Sequence, residues 1–210
     1  MSKITHLWRH SRSREPQNLL LTRHLFRSRC ASRGRIREQA LGADHPETAH
    51  SLRGLAWLYQ HQGKYAEAEA LFQRTLHIRE QALGADHPET AEALQEIASF
   101  YHNQDKYAEA EPLYQRALEI QERVLGPDHP ETAETLQALA ALYHNQGKYA
   151  EAESLYQRAL RVYEQALVPE HPITLDALES YASLLREMQR HEEAAQLEEH
   201  VREIRARRTS

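Results

Sequence analysis

The sequence predicts an all-α protein: a solenoid of antiparallel helix pairs, each pair stacking on the next. Two observations predict it. The phrase "ALGADHPETA" at residues 40–49 returns letter for letter at 82–91, followed by "VLGPDHPETA" at 124–133 and "ALVPEHPITL" at 166–175, a spacing of 42 residues each time. A second phrase, "KYAEAE", begins at Lys64, Lys106 and Lys148, with a diverged copy "RHEEAA" at Arg190, and holds the same offset from the first. A fixed period of about 20 to 50 residues is the signature of a repeat array.

Each unit divides into two helices, and the one beginning at Pro130 shows why. Proline suits the first helical turn, where its missing N–H costs nothing. Asp128 or His129 stands ready to cap the amides ahead of it, and Glu131 complements the helix dipole. Leu136, Leu139, Ala140 and Tyr143 then fall on one face at helical spacing. Gly147 ends that helix. A second helix over 149–167 carries the stripe Tyr149, Ala152, Leu155, Tyr156, Ala159, Leu160 and Val162. Gly84 and Gly126 end the earlier second helices, whereas Val168 stands there in the last full unit, so its cap is expected to be weaker or differently shaped.

Small residues recur where two helices must approach: Ala56, Ala98, Ala140 and Ala182 on first helices, Ala68, Ala110, Ala152 and Ala194 on second helices. Large rings fill the space beside them, Tyr59 with Phe72, Tyr101 with Tyr114 and Tyr143 with Tyr156. A lone pair cannot bury both flanks, so neighbours must stack. The resulting organisation is a basic segment over residues 1–35, flexible or poorly packed, then an array over 36–208. The array comprises a half repeat 36–45, repeats 46–87, 88–129 and 130–171, and a capping pair 172–208. In that pair Glu198 replaces the ring of the other units, and Gln189 replaces the turn glycine, giving the polar outer face a terminal repeat needs. The front segment admits three readings: a disordered tail, a transit peptide, or a makeshift helical cap over 19–26.

Charge narrows the partners. Residues 1–37 hold ten Lys or Arg and one acid, a net of +9, while residues 38–210 hold sixteen bases and thirty acids, a net of −14. An acidic array is a poor match for nucleic acid. No run of about 18 apolar residues is present, so no membrane-spanning helix is expected. Cys30 is the single cysteine, which excludes an internal disulfide and makes a cytoplasmic setting the default.

The residues Leu139, Ala140, Tyr143, Gly147, Tyr149, Ala152, Tyr156, Ala159 and Leu160 resemble the tetratricopeptide repeat pattern, here in a long 42-residue form. With "DHPET" before the first helix and "NQGKYAEAE" between helices, the chain is similar to the repeats of kinesin light chain and its bacterial relatives. The resemblance implies a right-handed superhelix, with first helices forming an inner wall, and a scaffold that binds a peptide or protein segment in the groove. It places His50, Arg53, Trp57 and His61 on that wall in the first full unit. The second contributes Glu92, Gln95, Ser99, His102 and Asn103, and the third Glu134, Gln137, Ala141, His144 and Asn145. Trp57 stands out, because its counterparts are Ser99, Ala141 and Ser183. Where kinesin light chains carry paired asparagines, this chain has Arg53-Gly54, Gln95-Glu96 and Gln137-Ala138. Glu92 and Glu134 would repel the carboxylate tail that chaperone-binding relatives clamp.

The expected partner is therefore a neutral to basic protein or peptide, with neither nucleic acid nor membrane involved. An alternative is a structural module, either self-stacking into a homo-oligomer through its open front end or acting as the detached sensor arm of a multidomain NTPase-type switch. No catalytic group, metal site or cofactor is expected. The seven glycines form no phosphate loop. His45, His87, His129 and His171 read as caps, and His61, His102 and His144 lack a second ligand one turn away.

Overall fold

A computed structural model describes residues 42, 45–168 and 170–208. Residues 1–35, including Cys30 and 19–26, and nearly all of the half repeat 36–45 lie outside the described residues. Among the described residues there are eight helices and no strand: α1 (Pro46–His61), α2 (Tyr65–Leu83), α3 (Pro88–His102), α4 (Tyr107–Val124), α5 (Pro130–Asn145), α6 (Tyr149–Ala166), α7 (Pro172–Glu187) and α8 (His191–Arg208). The chain forms two compact units, Met1–Leu71 and Phe72–Ser210. The first holds α1 and the opening turns of α2; the second holds the rest.

The recurring phrase is a loop that starts a helix. His45, His87, His129 and His171 each accept, at Nδ1, the backbone N–H two residues on, at 3.1, 3.2, 3.2 and 3.4 Å. Of the two caps open in the sequence at 128–129, the histidine serves. Proline follows at the first helical position in all four. The threonine two residues beyond that proline closes the loop. Thr48, Thr90 and Thr132 donate to the carbonyls of Gly42, Gly84 and Gly126 at 3.0, 2.8 and 2.9 Å. Those glycines sit at φ of 101°, 98° and 98°, a region that costs other L-residues roughly 1–2 kcal/mol. Val168 cannot follow cheaply. The residue before it, Leu167, is extended at φ −121°, ψ 160° instead of helical like Leu125. The hydroxyl of Thr174 is then left buried without a hydrogen-bond partner. The differently shaped cap expected from Val168 is what the structure shows.

Alanines make the close approaches. Ala98, Ala110, Ala140, Ala152 and Ala194 are fully buried, and Ala182 nearly so; in the first unit Ala56 and Ala68 are also fully buried. In the second unit, Ala98, Ala110 and Tyr114 form one cluster with Tyr101 packed against it, and Ala140, Ala152 and Tyr156 form another with Tyr143. Tyr163, absent from the predicted stripe, is fully buried as well. Consecutive pairs share these flanks: α4 packs on α5 and α6 on α7. Successive first helices also meet directly, α3 with α5 and α5 with α7, with no comparable contact from α4 to α6 or α6 to α8. The first helices therefore line the inner side of this unit.

Two carboxylates are joints between pairs. Glu111 accepts from the Tyr143 hydroxyl at 3.1 Å, Gln146 at 3.3 Å and Lys148 at 3.1 Å. Partial burial pushes its carboxyl up, but those donors and the Lys148 charge outweigh that and hold it below the usual range. Glu153 accepts from the Tyr181 hydroxyl at 2.9 Å and pairs with Arg190. At the far end Glu198 receives a two-pronged bond from Arg186, at 2.7 Å for each prong. An ion pair thus stands where the other units bury a ring.

Turns between paired helices reach positive φ in every unit: Gly63 at 74°, Asp105 at 60°, Gly147 at 76° and Gln189 at 63°. A Cβ on Gly147 would meet nothing within 4 Å, so substitution there is a purely backbone cost. Gly147→Ala is expected to lower stability by about 1 kcal/mol. Gln189→Gly should be neutral to stabilising by up to about 1 kcal/mol. Urea titration checks both, and a neutral Gly147→Ala would remove the conformational argument.

Candidate functional site

In the first unit His50 and His61 are exposed, and Arg53 and Trp57 are half-buried. The Trp57 and His61 rings lie 6.4 Å apart at 33°. Lys64 sits over the Tyr59 ring at 5.3 Å, a contact repeated by Lys106 on Tyr101 and Lys148 on Tyr143 in the second unit.

In the second unit the expected wall residues fall into two groups. Those in the last turns of the first helices, Asn103 apart, are engaged with neighbouring helices. His102 Nε2 and Asn145 Nδ2 are 2.7 Å apart, which makes that ring nitrogen the acceptor. Burial lowers the His102 pKa against the opposing pull of Asp105, favouring the neutral imidazole that this bond requires. His144 Nε2 lies 3.2 Å from Glu187, which also accepts from the Tyr149 hydroxyl at 3.1 Å. Asn103 is the exposed residue that caps α3. Ser99, half-buried, hydrogen-bonds the Tyr114 hydroxyl, whose pKa burial pushes up to about 12.

The residues nearer the helix starts line two cavities. One, of about 490 Å³, opens among α3, α5 and α7. Ala138, Ala141, Tyr156 and Ile173 give it apolar walls, while Gln95, Glu134, Gln137, Asp176 and Ser180 supply polar groups. The other, of about 460 Å³, lies between α3 and α5 over α4 and is lined by Pro88, Glu89, Glu92, Gln95, Gln121, Glu131 and Glu134. Gln95 and Glu134 border both. Gln137 is held at both ends of its amide. Its Oε1 accepts the Tyr163 hydroxyl at 3.0 Å, and its Nε2 donates to Asp176 at 2.7 Å. Glu92 pairs with Arg79 at 3.0 Å. Partial burial, reinforced by the Glu131 charge and opposed by His171, raises the Glu134 pKa.

The sequence reading omitted Asp176, Ser180 and Gln121. The repeat itself held the signal for two of them. Asp176 stands 42 residues after Glu134 and 84 after Glu92, so an acid occupies that wall position in three consecutive units. Gln121 stands 42 after Arg79. Among the described residues, no group of three His, Cys, Asp or Glu converges on a point where it could hold a metal ion, and no helix is long and apolar enough to cross a membrane.

A fold of repeated helix pairs with an open inner wall defines a repeat scaffold. One family model of the tetratricopeptide repeat matches residues 93–165 and 137–207, and a second matches 48–89. The chain belongs to the tetratricopeptide repeat family. It is similar to a crystal structure from Podosopora anserina described as a kinesin light chain of nearly identical TPR-like repeats. That match is 25% identical, covers 94% of this chain and 99% of that one, and has a TM-score of 0.72. BtubC (BKLC) from P. vanneervenii is 20% identical over 83% of this chain and 70% of its own, with a TM-score of 0.74. The apo form of RapI is 18% identical over 85% of this chain and 64% of its own, with a TM-score of 0.72. The last two likenesses speak for the fold alone. No curated protein matches the sequence.

Glu134 yields a test of the wall's electrostatics. A carboxyl whose folded pKa lies above its ordinary 4.5 penalises the fold while ionised, and the penalty fades as pH falls through the raised value. Glu134→Gln should therefore raise Tm at pH 7 and lose that advantage toward acid pH. A variant whose Tm equals the parent's at both ends would show that the site carries no such penalty.

Proposed function

We propose that this chain is a non-enzymatic interaction scaffold that takes a neutral to basic peptide segment along the inner face of its first helices. The fold family supports the scaffold role, and one observation carries the finer reading. Between α5 and α7 the cavity of about 490 Å³ combines an apolar wall of Ala138, Ala141, Tyr156 and Ile173 with the carboxylates of Glu134 and Asp176 and the amide of Gln95. Concave apolar surface with a few fixed polar groups is the usual form of a recognition site. An apolar side chain can enter beside Ala141 while the peptide backbone meets Gln95, and the acids select against anionic partners.

Gln137 has a different part in this reading from that of a free amide. Because Tyr163 and Asp176 already engage it, it holds the wall in place and positions Asp176. His102 with Asn145, and His144 with Glu187, brace neighbouring helices at the other end of the wall. Taken by itself, the first unit offers a separate surface, where Trp57 with His50, Arg53 and His61 provides an aromatic contact of the kind favoured in binding hot spots.

The test is selection of a random peptide library on the full chain, followed by affinity measurement on Ala141→Trp. The new ring fills the cavity, so selected peptides should bind at least about tenfold more weakly, a loss of about 1.4 kcal/mol, with helicity unchanged by circular dichroism. Selected peptides that bind Ala141→Trp as tightly as the parent would contradict the proposal, as would failure to select any.

A further inference from the structure

At one buried position the repeats change chemical class from charged to amide to aromatic. Arg79, Gln121 and Tyr163 are successive copies of the same site, 42 residues apart, on the second helices α2, α4 and α6. Each is almost wholly removed from solvent. Arg79 carries a guanidinium to the acids of the following first helix. Its Nη1 donates to the Glu89 carbonyl at 2.6 Å and pairs with Glu92 at 3.0 Å, and its Nε lies 3.8 Å from the Glu89 carboxylate. Tyr163 fills the same site in the third copy with a ring, and its hydroxyl reaches Gln137. Both side chains are long enough to reach a first helix, Arg79 the following one and Tyr163 that of its own pair, although Arg79 leaves its Nε and Nη2 without hydrogen-bond partners.

Gln121 is not. Its amide is 2% exposed, and its Oε1 has no hydrogen-bond partner. It lines the cavity of about 460 Å³ whose wall also includes Glu89, Glu92, Glu131 and Glu134. Arg79 pairs with the first two of those acids; Glu131 and Glu134 are the counterparts, one repeat on, of the acids that Arg79 serves. A buried acceptor and facing carboxylates with no cationic side chain reaching them from α4 are the complement of a guanidinium, which presents five donors and no acceptor.

We propose that the cavity between α3 and α5 is an arginine slot: the guanidinium of a partner peptide enters it and meets Glu131, Glu134 and Gln121 as Arg79 meets Glu89 and Glu92 one repeat earlier. The proposal rests on the inner-face binding reading and adds the chemistry of one anchor. Arginine suits the slot better than lysine, because its planar fork donates in several directions at once and loses less hydration on entry. A peptide lying along the first helices would place this arginine at α3–α5 and an apolar residue at the Ala141 cavity beyond Gln95, which borders both.

The experiment titrates the full chain, labelled with nitrogen-15, with N-acetyl-arginine N-methylamide and separately with its citrulline counterpart. Citrulline keeps the shape and removes the charge. Saturable shifts of the Gln121 side-chain amide with the arginine compound, at least about tenfold weaker with citrulline, are expected, a difference of about 1.4 kcal/mol. Glu134→Gln should weaken the arginine response to the citrulline level. Gln121→Arg, which supplies the guanidinium from α4 itself, should abolish the response read at the Gln95 side-chain amide, which lines the same cavity. Equal responses to the two compounds, or an arginine response untouched by Glu134→Gln, would overturn the slot. That failure is separable from failure of the inner face: peptides that lose affinity on Ala141→Trp yet bind equally with arginine or citrulline would retain the groove and discard the slot.

Discussion

Close approach at alanine is the constraint on which the second unit depends. Ala98 against α4 and Ala140 against α6 let two helices come near enough for Tyr114 and Tyr156 to be enclosed beside them. Fully burying such a ring is worth on the order of 1.5–3 kcal/mol, and a bulkier residue at the alanine would hold the rings apart. Each pair then has a second flank that only the next pair can cover. The side chains that cross this joint are polar at its edge: Tyr143 to Glu111, Tyr181 to Glu153, Arg158 to Glu122 at 2.7 Å and Arg116 to Glu80 at 2.8 Å. Apolar burial supplies the energy, and these bonds set the register.

The same geometry leaves the inner wall available. Because successive first helices meet directly, their outward positions are brought to one side, while the second helices carry the spacing between pairs. Acids can therefore recur at one wall position, as Glu92, Glu134 and Asp176 do, while Gln137, His102 and His144 brace the helices around them. The exception is where a second-helix side chain reaches through to the wall, as Arg79, Gln121 and Tyr163 do. At those three positions the side chain changes from charged to amide to aromatic.

Much of the fold was legible because repetition amplifies weak signals. One proline after a histidine says little; four at equal spacing mark helix starts, and Pro46, Pro88, Pro130 and Pro172 are those starts. Turn glycines were legible for the same reason, although Asp105 at φ 60° occupies the turn without being one. The site was less legible. The family resemblance pointed to Gln95, Glu134 and Ala141 as wall residues, but pairing across 26 to 39 residues, as in Tyr163 to Gln137 to Asp176, has no local pattern. Glu111 carries no local sign of its role because its partners Gln146 and Lys148 belong to the next repeat.

The central claim is that each pair is stabilised through its neighbours, so damage at one alanine must spread. Amide hydrogen exchange on Ala152→Leu tests this most directly. Overpacking there should cost about 1–3 kcal/mol and reduce protection not only in α5 and α6 but also in α7, which shares the α6 flank. Loss of protection confined to α6, with α7 exchanging as in the parent chain, would contradict it.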